Sequence, residues 1–443
     1  MSTPATDETG RAPLEPAAVR GDWNTTATCS LGFLTLISAF NYLDRSLLGL
    51  ALPAIKAEMA VSDTVLGLVS GLAFVLFYSL LGVPIAWLAD RWNRRNIIAL
   101  GFAFWSLMTL LTGWVANIWQ LAVARFLMGA GEACGLAPSN SMISDLFRKE
   151  RRALALSIFG TGSSIAFVVF FPILGAIGEA YGWRQMFIVA GLPGIVLALI
   201  FLLTVREPER TGSITAAETR ALRNPRTLFA DLAFLFRSPA YLYLLAASTF
   251  MGLNVFAASV WTPTFLDRVH GLSMGSVASI IGPIRGIFGL AGVLIGGFMI
   301  DRLMRRSPHW RITLPALACL LLGPVEVVFL LADPQWLWIA AFAASAFLTL
   351  IHQGPLFALV MEVATSRMRA LAIATLVLFS GLLGQAVGPL IVGMTNDALA
   401  ATMGVTAIRY SMLIIALTAA LAGLMILLSA RHLEQGRINP AAG

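Results

Sequence analysis

Charge is what this chain has least of. Of its 443 residues only 12% are Asp, Glu, Lys or Arg, 58% are hydrophobic, and the mean hydropathy is +0.82. Soluble domains carry about 25% charged residues, so composition alone excludes one. Cysteine is nearly absent too. Cys29, Cys134 and Cys319 all fall in apolar stretches with no metal spacing and read as small packing residues. No Gly-rich phosphate loop, His-Glu-x-x-His pair or nucleophile elbow occurs, which argues against ATP-driven pumping and membrane hydrolysis. An enzyme is not expected, nor a metal or cofactor. Residues 1–26 lack a basic segment followed by a cleavable apolar core. Rich in Pro, Ala, Thr and acidic residues, they read as a disordered cytosolic tail, not a signal peptide.

What the sequence does have is apolar length. A bilayer core of about 30 Å takes roughly 20 apolar residues as helix. Runs of that size predict spans near 29–53, 64–88, 97–116, 119–145, 154–177, 184–205, 241–265, 274–300, 312–332, 336–361, 371–394 and 408–430, six in each half. If the N-terminus is cytoplasmic, the outer loops receive only Lys56, Arg184, Arg268 and Arg409 while the inner segments collect most of the arginines. The positive-inside rule therefore puts both termini in the cytoplasm of a cell-membrane (inner-membrane) protein. The net charge of +7 is a topology signal, and no basic soluble face exists for a nucleic acid.

The expected organisation is a tail over 1–28, a six-helix bundle over 29–205, a cytoplasmic linker over 206–240, a second bundle over 241–430 and a tail over 431–443. In the linker, Leu228, Phe229, Leu232, Leu235 and Phe236 recur at helical spacing beside Arg223, Arg226 and Arg237. That pattern predicts an amphipathic helix on the inner leaflet; an ordinary linker is the plainer alternative.

Two stretches repeat half a chain apart, Ala86-Trp-Leu-Ala-Asp90-Arg91-Trp-Asn93-Arg94-Arg95 and Gly297-Phe-Met-Ile-Asp301-Arg302-Leu-Met-Arg305-Arg306. Each follows a long apolar run, so the repeated unit is a bundle of spanning helices, and two facing bundles suggest a transporter. Asp90 with Arg91, Arg94 and Arg95, and Asp301 with Arg302, Arg305 and Arg306, are expected to clamp the cytoplasmic ends when the carrier faces outward. Asp90 would cap the start of the eleventh span near Ala370 to Ala372. The alternative is that these charges only fix topology.

An ionisable group at mid-bilayer costs on the order of 2.5 to 3.5 kcal/mol, so each needs a partner, a water cavity or a function. Asn41, Asp44 and Arg45 share one face of the first span, and Arg125, Gly129 and Glu132 share one face of the fourth. Pairing the faces gives two cations with two anions. Such a cluster is either a structural lock or a coupling site, since a carboxylate whose neighbours change between two conformations changes its proton affinity. Arg285 in the eighth span has no partner nearby in sequence; it either seats an anionic headgroup or pairs with a first-half carboxylate. Glu326 is expected to reach water, and His352 to be an ordinary core residue. Gly160, Gly162, Pro172, Gly384, Gly388, Pro389 and Gly393 fit close packing of rocking helices or lipid-facing kinks.

The loop repeat resembles the Gly-x-x-x-Asp-Arg/Lys-x-Gly-Arg/Lys-Arg/Lys signature of the major facilitator superfamily, with Ala86, Asn93 and Met304 where Gly is usual. Arg125-Phe-Leu-Met-Gly129 is similar to that superfamily's fourth-helix motif. Asn41-Tyr42-Leu43-Asp44-Arg45, Phe104-Trp105-Ser106, Gly129-Ala-Gly131-Glu132-Ala133, Ala137-Pro138 and Val205-Arg206-Glu207-Pro208 resemble the spinster family.

The resemblance implies an all-α protein of twelve transmembrane helices in 6+6 pseudo-symmetric bundles, acting as a monomer by alternating access. It implies a proton gradient as energy source and a small amphipathic substrate, a lysophospholipid or sphingoid lipid. Asp44, Arg45, Arg125 and Glu132 would serve coupling, with Asn41, Tyr42 and Arg285 toward the headgroup. Membrane lipids would be the only other partner. Organic anion/proton symporters share a similar Asn-Tyr-x-Asp-Arg start and are the second reading; a channel or non-transporting receptor is a third. The fifth-helix Gly-Pro-x-x-Gly-Gly motif of drug antiporters is missing.

Overall fold

In hydrocarbon a long apolar run can satisfy its backbone N–H and C=O groups only within itself, so it becomes a helix. The computed structural model describes residues 23–210, 225–365 and 368–438, and no strand occurs among them. The first half comprises α1 (Thr25–Met59), α2 (Asp63–Ala89), α3 (Arg94–Thr112), α4 (Ile118–Glu132, then Leu136–Leu146), α5 (Lys149–Tyr181) and α6 (Trp183–Thr204). A short α7 (Pro225–Arg237) leads into the second half. There follow α8 (Pro239–His270), α9 (Met274–Met304), α10 (Trp310–Leu331), α11 (Gln335–Val363), α12 (Arg369–Met403) and α13 (Leu413–Ile438). Among the described residues ten stretches are long and apolar enough to cross a membrane. The architecture is nevertheless twelve-helical: Leu371–Leu433 contains both α12 and α13, separated by a turn at Gly404–Thr406, and α4 is broken after Glu132.

Thr25 to Thr28, expected in the tail, already belong to α1, whose start is capped by Asn24 accepting from Ala27 N at 2.7 Å. Residues 1–22, 211–224 (with Arg223) and 439–443 lie outside the described residues. In α7, Leu235 is buried in the second half's core, while Phe236 is exposed and meets the rings of Tyr241 and Phe379.

Apolar packing divides by location. One core, with Phe74, Phe102, Trp105 and Phe201, belongs almost wholly to the first half; a second, with Tyr241, Leu244, Leu376 and Ile426, belongs to the second half. The third joins both, setting Leu47, Leu50 and Phe171 against Trp261, Phe265 and Val277. Glycines show where the halves touch. A Cβ at Gly67 or Gly71 of α2 would run into the carbonyls of Pro389 and Gln385 on α12, and one at Gly282 or Gly286 of α9 would strike Phe167 and Val168 of α5. Further along the same four helices, Gly82, Gly381, Gly297 and Gly160 face open space. The halves are therefore pressed together at the end carrying Asp63 and splayed at the end carrying Asp90 and Asp301.

The packing also separates the glycines of mixed reading. Gly162, Gly384, Gly388 and Gly393 make close backbone contacts and Gly160 makes none. Trp114, Trp119 and Trp336 are exposed toward the Asp63 end, and Trp87 and Trp92 toward the other, where amphipathic rings suit the two membrane–water boundaries.

Candidate functional site

The charged faces of α1 and α4 do meet, because residues three, four and seven apart share a helix face. Gly129 and Gly131 let α4 pack closely against its other neighbours: a Cβ on the first would hit the Phe74 carbonyl of α2, and one on the second would crowd Trp105 of α3. The chain behind them leaves the α-helix, with Gly135 N bonding the Glu132 carbonyl, so Glu132 stands at the break. Glu132 is fully buried, and one of its oxygens accepts from Arg45 Nε at 2.7 Å and Asn41 Nδ2 at 2.8 Å. Its other oxygen has no hydrogen-bond partner. The Arg45 guanidinium lies 5.0 Å from the Phe74 ring centre and 4.6 Å from that of Tyr78.

The second expected pair takes a different form. Arg125 reaches Asp44 through the backbone, Nη1 donating to the Asp44 carbonyl at 3.3 Å and lying 3.1 Å from Met128 Sδ. Its guanidinium shares the Phe74 ring at 5.1 Å. The Asp44 carboxylate is buried and makes no ion pair; its nearest donors are the Thr109 hydroxyl and the Trp105 indole of α3, neither within ideal hydrogen-bond geometry. The cluster is thus one formed ion pair beside one cation and one carboxylate held close but not bonded to each other. Tyr42, on the next face of α1, is 45% exposed and therefore accessible from the opening between the halves or from lipid.

Arg285 occupies a π-helical turn of α9, Ile284–Phe288, that packs against a second such turn in α5, Ala166–Phe170. Such turns re-aim side chains and recur at functional sites. Arg285 Nη2 donates to the Ala258 carbonyl at 3.0 Å, and the guanidinium lies 5.9 Å from the Phe167 ring and 6.0 Å from Phe342. Among the described residues no carboxylate pairs with it. Glu326 does not reach water as expected: it is buried, and both oxygens accept from Asn254 Nδ2 at 2.9 Å. His352 is buried.

At the splayed end, Asp90, Asp301, Arg302, Arg305 and Arg306 are exposed. Arg91 lies over the Trp87 ring at 4.0 Å. Arg94 is buried within the first half, bonding Asp145 at 2.5 Å, Glu207 at 2.7 Å and Ser141 at 2.9 Å, while Arg95 N donates to Glu207 at 2.8 Å. The start of the linker joins in: Arg210 donates to the carbonyls of Ala89, Asp90 and Trp92 at the end of α2.

At the closed end lies a group that motif reading missed. Asp63 is fully buried and accepts from Lys56 at 2.7 Å, from Arg268 at 2.6 and 2.8 Å, and from Asn396. The available signal was that Lys56 and Arg268 are two of only four outer-loop cations.

A family model described as Major Facilitator Superfamily matches residues 34–389. The chain belongs to the major facilitator superfamily. It is accordingly a multi-pass integral membrane protein of a transporter family, not an enzyme. A solved bacterial homologue of the human lysosomal transporter Spinster, in an inward-facing and unoccupied conformation, superposes with a TM-score of 0.81 and 26% identity, over 94% of this chain and 99% of that one. An MFS-type efflux pump of Mycolicibacterium smegmatis is 28% identical over 92% of this chain and 93% of its own. Protein spinster homolog 1 of Homo sapiens is 28% identical over 91% of this chain and 80% of its own. A protein of Escherichia coli K12 bearing the name of an L-galactonate transporter is 32% identical over 63% of this chain and 62% of its own.

Proposed function

We propose that this facilitator is a proton-coupled carrier of the cell's inner membrane, with both termini cytoplasmic, that moves an amphipathic lipid-like substrate with an anionic headgroup by alternating access. The observation that carries the coupling is the α1–α4 cluster. Asp44 makes no ion pair and Glu132 has one donor-free oxygen, so a proton can arrive at either without breaking an ion pair. Rocking of the halves alters the cavity beside Arg45 and Asn41, and with it the support those donors give Glu132.

Arg285 supports the headgroup assignment as a half-buried cation whose described contacts are one carbonyl and two rings, leaving donors free for an anion. Likeness to the spinster proteins supports a lipid-like tail, and likeness to the sugar-acid relative supports a small organic anion in its place. A thermal-shift panel of purified protein against lysophospholipids, sphingoid bases and organic anions separates the two, because a ligand that binds the folded form raises its melting temperature. Stabilisation by lysophospholipids supports the proposal; stabilisation by sugar acids alone replaces the lipid with an anion. Counterflow of the labelled hit in liposomes distinguishes a carrier from a channel or receptor.

A further inference from the structure

Two carboxylates at the closed end are exchanged between the halves. Asp397, near the end of α12 in the second half, accepts from Asp63 N at 3.0 Å, Thr64 N at 2.7 Å and Thr64 Oγ1 at 2.6 Å, all in the first turn of α2. Glu179, near the end of α5 in the first half, accepts from Gly275 N at 2.9 Å and Ser273 Oγ at 2.8 Å, at the start of α9. Each carboxylate leaves its own half and meets the N-terminus of a helix in the other, where free N–H groups and the positive end of the helix dipole both favour an anion.

Neither helix needs this anion in order to start. Ser62 caps α2 by accepting from Val65 N, and Ser273 caps α9 by accepting from Ser276 N, each at 3.3 Å. The crossing carboxylates are therefore surplus to helix formation and specific to the contact between halves. The buried Asp63 adds a third crossing, joining Lys56 of its own half to Arg268 and Asn396 of the other.

We propose that Asp397 and Glu179, with Asp63 between its two cations, are the latch that closes the transport path at this end and must release each time the halves rock apart. The proposal rests on alternating access but not on the substrate or the coupling ion. Its test therefore needs neither, and a negative result leaves the coupling reading where it stands.

Spin labels placed at Ala57 and Ala401 report the closed end across the two halves, and labels at Glu150 and Met304 report the splayed end, in a background lacking Cys29, Cys134 and Cys319. Pulsed electron paramagnetic resonance in liposomes then gives both distances for wild type, Glu179→Ala, Asp397→Ala and the double variant. Each single variant should raise the ratio of open to closed populations at the Asp63 end roughly fivefold, the usual effect of removing an anion bonded to a helix N-terminus when only the closed state has that contact. The double variant should give about the product of the two, since the two crossings lie on separate helix pairs. The splayed end should close in the same proportion.

Unchanged distances with a lowered melting temperature would make the carboxylates mere helix caps and overturn the latch. Opening at the Asp63 end without closing at the other would also overturn it, as local fraying. Should the double variant fail to fold, Thr64→Val, which removes one hydroxyl contact to Asp397, must shift both distances the same way, and no shift sinks the idea.

Discussion

Glu132 is tolerated in an apolar bundle because its donors stand on a neighbouring helix at the right interval: Asn41 and Arg45 are one turn apart on α1, and both reach the same oxygen. Arg45 is held by the Phe74 and Tyr78 rings, which restrict its side chain and favour a cation. The same ring serves Arg125, so α2 positions both cations of the cluster. Arg285 contrasts with them, having rings and a carbonyl but no acid. Arg285→Ala should weaken binding of an anionic amphiphile roughly tenfold or more, the usual worth of a charge-assisted hydrogen bond, and leave a zwitterionic or neutral analogue nearly unaffected. Calorimetric titration with the three headgroups checks this, and equal losses for all three would make Arg285 a structural residue.

Helices carry the closing motion at their glycine faces. On α2, Gly67 and Gly71 lie against α12, whereas Gly82, three turns along, faces space, so the two helices diverge from a shared contact. Gly71→Leu inserts a side chain where the Gln385 carbonyl lies, and overpacking of that kind costs about 1 to 3 kcal/mol. The variant should fold, since the bulk is relieved by parting the halves, and should shift cysteine accessibility toward the state open at the Asp63 end. Unaltered accessibility would mean that α2 and α12 do not part there.

The spans, the halves and the α1–α4 faces were legible in the sequence because they depend on apolar length and helical spacing, both local properties. The pairing inside the cluster was only half legible: spacing places Asp44 and Arg125 near each other, but whether the guanidinium meets the carboxylate or the carbonyl depends on rotamers set by Phe74 and Met128. Asp63 was legible only through its cations, as two of the four positive charges left in the outer loops. Its partner Arg268 lies 205 positions away at another helix end, and each alone reads as a loop charge. Glu326 shows the same limit, since its burial depends on Asn254 of α8, which no spacing rule connects to α10.

At the scale of the molecule, two six-helix halves share one apolar core at the Asp63 end and keep separate cores elsewhere, which is what a body that rocks about a contact requires. The exposed Asp90 and Asp301 loops stand at the open end, available to clamp it in the opposite state. Asp90→Asn should then enrich the conformation seen here, raising labelling of cysteines placed along the inner cavity, and an unchanged pattern would leave the loops a topological role only. The proposed coupling of transport to protons rests on the buried charges of the first half. Its most direct measurement is substrate uptake by reconstituted liposomes under an imposed pH gradient, comparing wild type with Asp44→Asn and Glu132→Gln. The gradient should drive wild-type uptake and fail to drive it in either variant, while gradient-free exchange persists; wild-type pH dependence in both variants would rule out coupling through this cluster.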